Sequence, residues 1–313
     1  MRREDFIIEG IPSGYEIREV DLTPSGRPIC VLTHKTDFQA EALLRFTDSI
    51  RPIPEDAVFR VTSTASVSPP LVRCMGEDRV LLNGSARRHA EANAYVLNRA
   101  GDVEHSFNIG GPDEVLANEH WIVTHYNDQA MTSDDHPVDR EGLAVFDAVG
   151  KLLWGFQSHF AGRLTLDVFF HSAAWVGLNQ VGVYRDIDRG VNTLEAFIQL
   201  DVSDKAVQFW KLPEDVHFAP ALTVLGDRVM FYAAEGKKSE SSSPFMSGIR
   251  RWLKVTPRRT SPTPVEGDIV EWEIGSNRSR VVGNYPGRSA LRGLMGGRFI
   301  ASKTDGYTIL SFD

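Results

Sequence analysis

Six segments of the chain follow one plan, a Gly, Asn or Ser corner beside an alternating apolar run, and this repeat restricts the fold more than any single residue does. They read PSGRPICVL (Pro24 to Leu32), MGEDRVLLN (Met75 to Asn83), ANEHWIVTH (Ala117 to His125), HSAAWVGLN (His171 to Asn179), LGDRVMFYA (Leu225 to Ala233) and MGGRFIASK (Met295 to Lys303). A corner residue that tolerates positive φ, next to β-branched and aromatic residues in alternation, marks a tight hairpin between half-buried strands. Recurrence at roughly 40–70 residues is the spacing of propeller blades. The repeat therefore predicts an all-β fold, a six-bladed β-propeller of four-stranded antiparallel blades. At 313 residues such a repeat closes as one domain, 1–313.

The third and fourth strands of a blade form a hairpin, and its trace is visible in several copies. AYVLNRAGDVEHSFNI (Ala94 to Ile109) aligns with GLAVFDAVGKLLWGFQ (Gly142 to Gln157), Asn98 on Asp147 and Gly101 on Gly150. The pairs Ser203-Asp204 and Gly275-Ser276 occupy the matching turns of two later copies. A polar Asp or Asn ahead of the turn satisfies backbone N–H groups. Blades are expected at 17–62, 70–110, 113–158, 164–213 and 218–286, with a sixth from Ser289 that holds only three strands. Its fourth strand is expected from the other end of the chain, Phe6 to Glu9, which would remove an exposed edge.

The phrase FDAVGKLLWGF resembles the D-x-x-G-K-x-x-W turn of PQQ-like bacterial propeller repeats, well in one blade and loosely in two others. That resemblance implies a propeller and no particular activity, since such repeats occur in quinone-dependent dehydrogenases and in plain scaffolds. The regular tryptophans and calcium-ligand cluster of a quinoprotein dehydrogenase are not legible, so there is no PQQ signature. The Trp-Asp dipeptide of WD40 repeats is absent.

A net charge of −8 argues against bulk nucleic-acid binding. The two cysteines, Cys30 and Cys74, each lie inside an apolar run without CxxC or Cys/His spacing, and read as buried free thiols of a reducing compartment. The opening MRREDFIIEG offers three consecutive apolar residues, too few for a signal-peptide core, and no membrane-length span follows; a cytoplasmic location is the expectation.

Insertions in repeat proteins collect on one face, which commonly binds. Here they are expected between second and third strands, at His34 to Gln39, Ser85 to Asn93, Tyr126 to Glu141, Gln180 to Thr193 and Ala234 to Glu266. The loop YNDQAMTSDDHPVDRE concentrates Asp128, Asp134, Asp135, His136, Asp139 and Glu141, a donor set that suits a divalent cation or, equally, Asx-capped turns. VYRDIDRG alternates charge through Arg185, Asp186, Asp188 and Arg189, read as an ion-pair ladder or as recognition of a charged ligand. Near the starts of the inner strands stand Arg73, Glu114, Asp167, His217 and Arg292, which either pair with one another or converge on a ligand at the channel mouth.

The insertion at about 236–266 is basic: seven Lys or Arg against Glu240 between Lys237 and Pro264. Arg250, Arg251, Trp252 and Lys254 within it make an amphipathic partner-binding face if helical, or part of a strand of the fifth blade. The chain carries no G-x-S-x-G elbow and no phosphate-binding Gly loop, hence no nucleotide signature. Two functions remain: a non-enzymatic scaffold recognising a protein or small polar ligand on its long-loop face, or a metal-dependent hydrolase of lactonase or esterase type. For the latter, Glu114, Asn179 and Asp167 are suitable metal-ligand types, although their flanking residues do not form the lactonase motif.

Overall fold

In a computed structural model, the structure describes residues 1–36, 41–46, 49–53, 71–84, 92–126, 131, 136–160, 167–188, 194–213, 216, 219–233, 267–286 and 291–312. The chain opens with β1 (Arg2–Ile7) and then lays down five consecutive meanders. Blade 1 comprises β2 (Tyr15–Leu22), β3 (Pro28–His34), β4 (Leu43–Phe46) and β5 (Ser49–Pro52). Blade 2 comprises β6 (Leu71–Cys74), β7 (Arg79–Asn83), β8 (Ala94–Asn98) and β9 (Val103–Phe107). Blade 3 comprises β10 (Glu114–Ala117), β11 (Trp121–His125), β12 (Leu143–Asp147) and β13 (Leu152–Gly155), followed by the short α1 (Phe156–Phe160). Blade 4 comprises β14 (Asp167–Trp175), β15 (Gln180–Asp188), β16 (Leu194–Asp201) and β17 (Val207–Lys211). Blade 5 comprises β18 (Ala221–Leu225), β19 (Arg228–Tyr232), β20 (Asp268–Glu273) and β21 (Ser279–Asn284). Blade 6 takes β22 (Arg292–Leu294), β23 (Arg298–Ser302) and β24 (Gly306–Ser311), with β1 as its fourth strand.

Among the described residues this makes six four-stranded antiparallel sheets, a six-bladed β-propeller, as the repeat predicts. The first strands of successive blades stand side by side around the channel, and β23 returns to β2. The core is correspondingly divided into six wedges, each between two neighbouring blades. Alternation within one strand feeds two wedges at once: on β7, Val80 and Leu82 pack toward blade 1 while Leu81 packs toward blade 3. A strand covered on both faces shows as a near-continuous apolar run. That is why the repeat is legible.

The rim hairpins behave as expected. Asp147 Oδ1 accepts from the N–H groups of Val149 (3.0 Å) and Lys151 (2.8 Å), and Asn98 Oδ1 accepts from that of Asp102 (3.0 Å). Gly150 holds φ at +87°, and a Cβ there would run into the Phe107 ring of the preceding blade, so two separate constraints demand glycine.

Ring closure uses β1 in full antiparallel register with β24, from Arg2 opposite Ser311 to Ile7 opposite Gly306. The strand begins earlier than the expected Phe6 to Glu9 because Ile8 has another task. It is buried in the wedge between blades 6 and 1, and its N–H donates to Asp305 O. Asp5 accepts from Lys303 Nζ and Thr308 Oγ1, both at 2.6 Å, and Phe6 stacks on Tyr307 with centroids 4.8 Å apart.

One boundary needs correction. The segment expected to be a loop from Gln180 to Thr193 is strand as far as Asp188, so Arg185 and Asp188 are ladder residues of the β14–β15 hairpin. Its Val181, Val183 and Tyr184 are core residues, and their packing overrides the charges that suggested a loop. The basic insertion, with Arg250, Arg251, Trp252 and Lys254, lies outside the described residues. Cys30 and Cys74 are free and buried, and burial pushes the Cys30 thiol up to about 12. No helix among the described residues is long and apolar enough to cross a membrane.

Candidate functional site

Two alternating acids in the first inner strand organise the middle of the channel. Glu19 and Asp21 flank Val20 on β2; Val20 enters the core, and the carboxylates turn the other way. Arg73 on β6 reaches Glu19 at 2.6 Å, while Arg292 on β22 reaches Asp21 at 2.9 Å and Glu19 at 3.9 Å. The Arg73 guanidinium also donates to the carbonyls of Val72 and Val115, and that of Arg292 to Val20 O. Asp21 completes its shell with the N–H groups of Leu22 and Cys74, both at 2.8 Å. Burial by itself would raise the Asp21 pKa, but Arg292, Arg73 and the Cys74 N–H outweigh it and hold the carboxyl below the usual range. Gly293 permits the crowding beside Arg292, since a Cβ there would strike Leu222 O of the neighbouring inner strand.

Glu114 takes a further position on the channel. His125 Nε2 lies 3.1 Å from its Oε2, which also accepts the Ala173 N–H at 3.1 Å. Burial would raise this carboxyl too, and His125 with Arg73 and the Ala173 N–H reverses the direction, leaving it lowered.

Over the Asp21, Arg73 and Arg292 side chains opens a cavity of about 400 Å³. Leu116, Trp175 and Leu294 form apolar wall, and Leu178 and Met295 stand at its mouth, 61% and 45% exposed. The mouth is built from the short hairpins that join first to second strands, so it lies at the opposite end of each second strand from the long loops. Hydrogen bonds between blades hold these hairpins. Asn118 Nδ2 donates to Leu178 O at 2.9 Å, Trp121 Nε1 to Asn179 Oδ1 at 3.0 Å, and Trp175 Nε1 to Ala117 O at 3.1 Å. On the other side Glu77 accepts from Ser25 and Arg27, which fastens blade 1 to blade 2.

Of the residues singled out in the sequence, Arg73 and Arg292 meet at this cavity, bridged by Glu19, and Glu114 lies beside the same ion cluster, close enough for Arg73 to help hold its carboxyl down. His136 instead caps a 3-10 helix (Pro137–Glu141), where Nδ1 accepts the Val138 N–H at 3.3 Å. In that turn Asp139 accepts from Gly111 N and Glu141 from Ser158, so these two acids serve backbone turns. Asp167 and Asp188 are backbone partners in the β14–β15 register. Asp128, Asp134, Asp135 and His217 lie outside the described residues. The trio Glu114, Asn179 and Asp167 is not brought together. Glu114 meets Ala173, Asp167 is six residues or about 20 Å back along β14, and Asn179 sits in the hairpin past the other end. Among the described residues no group of three His, Cys, Asp or Glu is placed to hold a metal.

Arg185 points into blade 4 rather than toward the cavity. It is fully buried, its guanidinium carbon lies 6.0 Å from the Phe156 ring centroid and 5.5 Å from that of Phe209, and none of its three nitrogens has a hydrogen-bond acceptor among the described residues. Burial lowers its pKa to about 10. Two cation–π contacts are worth about 2 kcal/mol each when desolvated, against several for taking the charge out of water. Arg185→Met is therefore expected to melt at the same temperature as the wild type or higher, by calorimetry. A loss above about 2 kcal/mol would show that the charge is paired.

Sequence reasoning missed Glu19, Asp21, Leu178 and Met295. The first two had a signal, acids two apart in an inner strand; the last two had only their place at hairpin tips.

No protein-family model matches the chain, and no curated protein is similar to it. Solved structures that resemble it include virginiamycin B lyase from Staphylococcus aureus, at 8% identity and a TM-score of 0.41, with 100% of this chain and 99% of that one covered. The extracellular domain of a hybrid two-component system from B. thetaiotaomicron matches at 8% identity and a TM-score of 0.45, over 94% of this chain and 34% of that one. A post-proline cleaving enzyme from Rickettsia typhi matches at 9% identity and a TM-score of 0.41, over 97% and 44% respectively.

Proposed function

We propose that this propeller is a binding scaffold that holds a small ligand at the hairpin end of its channel without transforming it. The observation that carries this reading is the cavity of about 400 Å³ whose mouth leaves Leu178 and Met295 exposed above a buried ion cluster. That volume falls in the range of small-molecule sites, which are mostly apolar with a few placed polar groups. Large aliphatic side chains held open at the rim of a concavity mark a surface built to be covered. Two of the acids that line it are engaged: Asp21 accepts three hydrogen bonds, and Glu77 is bound by Arg27 and Ser25, which pulls its carboxyl down to about 2. We assign protein partners, if recruited, to the basic segment from Lys237 to Pro264, with Trp252 as its apolar residue.

The test is titration with Nile red, a neutral apolar dye, followed by fluorescence. One dye per chain is expected, and Leu178→Asp combined with Met295→Asp should weaken it about tenfold or more while the melting temperature stays within about 2 °C, both sites being exposed. Equal binding by the double variant places the ligand elsewhere.

A further inference from the structure

The hydrogen-bond inventory of the cavity floor defines the ligand. Asn118 has both amide atoms engaged, Trp175 donates to Ala117 O, Thr23 bonds Ser25 and Arg27, and Asp21 already accepts three bonds. What remains unspent is guanidinium. Arg292 uses Nη2 for its hydrogen bonds and turns Nε to Glu19 at 3.9 Å, which leaves Nη1, and Arg73 uses Nε and Nη1, which leaves Nη2. Both side chains line the cavity, Arg292 with 13% and Arg73 with 5% of its side chain exposed. Arginine carries donors and no acceptor, so the inner end of a ligand must be an acceptor.

Charge then selects among acceptors. Glu19 and Asp21 balance Arg73 and Arg292 one for one, and Glu114 lies near enough to both arginines to interact with each. A carboxylate or phosphate would lose its hydration and meet a cluster with no surplus positive charge. Arg298, Glu77 and Glu119 line the cavity at its hairpins and add no surplus of positive charge, and at the floor a cation would face N–H groups. A carbonyl accepts the same hydrogen bonds without either penalty, and an apolar body attached to it covers Leu116, Trp175, Leu294 and the rim. Resting on the binding reading above, we propose that the cavity takes a neutral, largely apolar molecule that presents an amide- or ester-type carbonyl to Arg292 and Arg73.

Three probes of one shape decide it: 2-naphthamide, 2-naphthoate and 2-naphthylmethylammonium, titrated into the full chain by ligand-observed NMR at neutral pH. The amide is expected to bind about tenfold or more tightly than either ion, because naphthoate makes the same hydrogen bonds at the cost of its hydration and the ammonium makes none of them. Arg292→Met should bring the amide down toward the ions. If that variant does not fold, the ranking of the three probes on the wild type still decides. Naphthoate binding as well as the amide or better overturns the neutral-carbonyl assignment, and leaves the site intact if the Leu178→Asp, Met295→Asp variant still loses Nile red. Failure of all three probes together with Nile red overturns the site itself.

Discussion

A chain lacking residues 1–8 is expected to lose its closed ring and to self-associate. The deletion removes β1 from the edge of β24, withdraws Ile8 from the wedge between blades 6 and 1, and breaks the Phe6–Tyr307 stack. Burial of an isoleucine is worth about 1.5–3 kcal/mol, and the stacked pair about 0.5–1.5 kcal/mol beyond its area. Together they predict a fall in melting temperature of roughly 3–7 °C for a chain of this length. The uncovered edge of β24 presents free N–H and C=O groups to another molecule, so light scattering should detect dimers or larger species. An unchanged melting point and a monomer would show that the ring closes by other means.

Asp21→Asn attacks the channel from inside and should cost about 3–5 kcal/mol, because it leaves Arg292 and Arg73 buried with one countercharge fewer. The same carboxylate sets an acid limit. Its folded pKa lies below the ordinary value of about 3.9, so its contribution is complete above the unfolded pKa and drains away as pH falls toward the folded one. Glu114 acts in the same direction. Wild-type melting temperature should therefore drop steeply below about pH 4, and the Asp21→Asn variant, already deprived of this term at neutral pH, should drop less. Parallel acid profiles for the two proteins would remove Asp21 from the account.

Blade number and order were legible because the blades repeat the same local chemistry: an apolar strand covered on both sides, a corner and, in blades 2 to 4, a polar residue that closes the rim turn. Asp147 and Asn98 act within four residues of themselves, and such short-range bonds leave a sequence trace. Arg185 does not. Its aromatic neighbours, Phe156 and Phe209, come from different blades, and its charge read as a loop residue while the strand around it was stabilised by Val183 and Tyr184. Arg73 and Arg292 were visible as charges in inner strands, yet their countercharges lie far away in sequence, Arg292 and Asp21 being separated by 271 positions. Loop length directed attention to the end of the propeller with the insertions. The cavity described here is instead a product of channel geometry, and short hairpins with two exposed aliphatic side chains are enough to frame it.

The pairing of Arg2 with Ser311 also has a consequence for how the protein is made. During synthesis the first strand emerges some 300 residues before its partner, a delay of roughly 15–60 s at ordinary elongation rates of about 5–20 residues per second. Blades 1 to 5 hold all their strands in sequence order and can form in turn as they leave the ribosome, while β1 waits unpaired. Its polarity suits that wait: RREDFI sets two arginines and two acids ahead of its two apolar residues, a poor template for aggregation. β24 thus captures a strand made some 300 residues earlier, and that seam is where the nascent ring stays open longest.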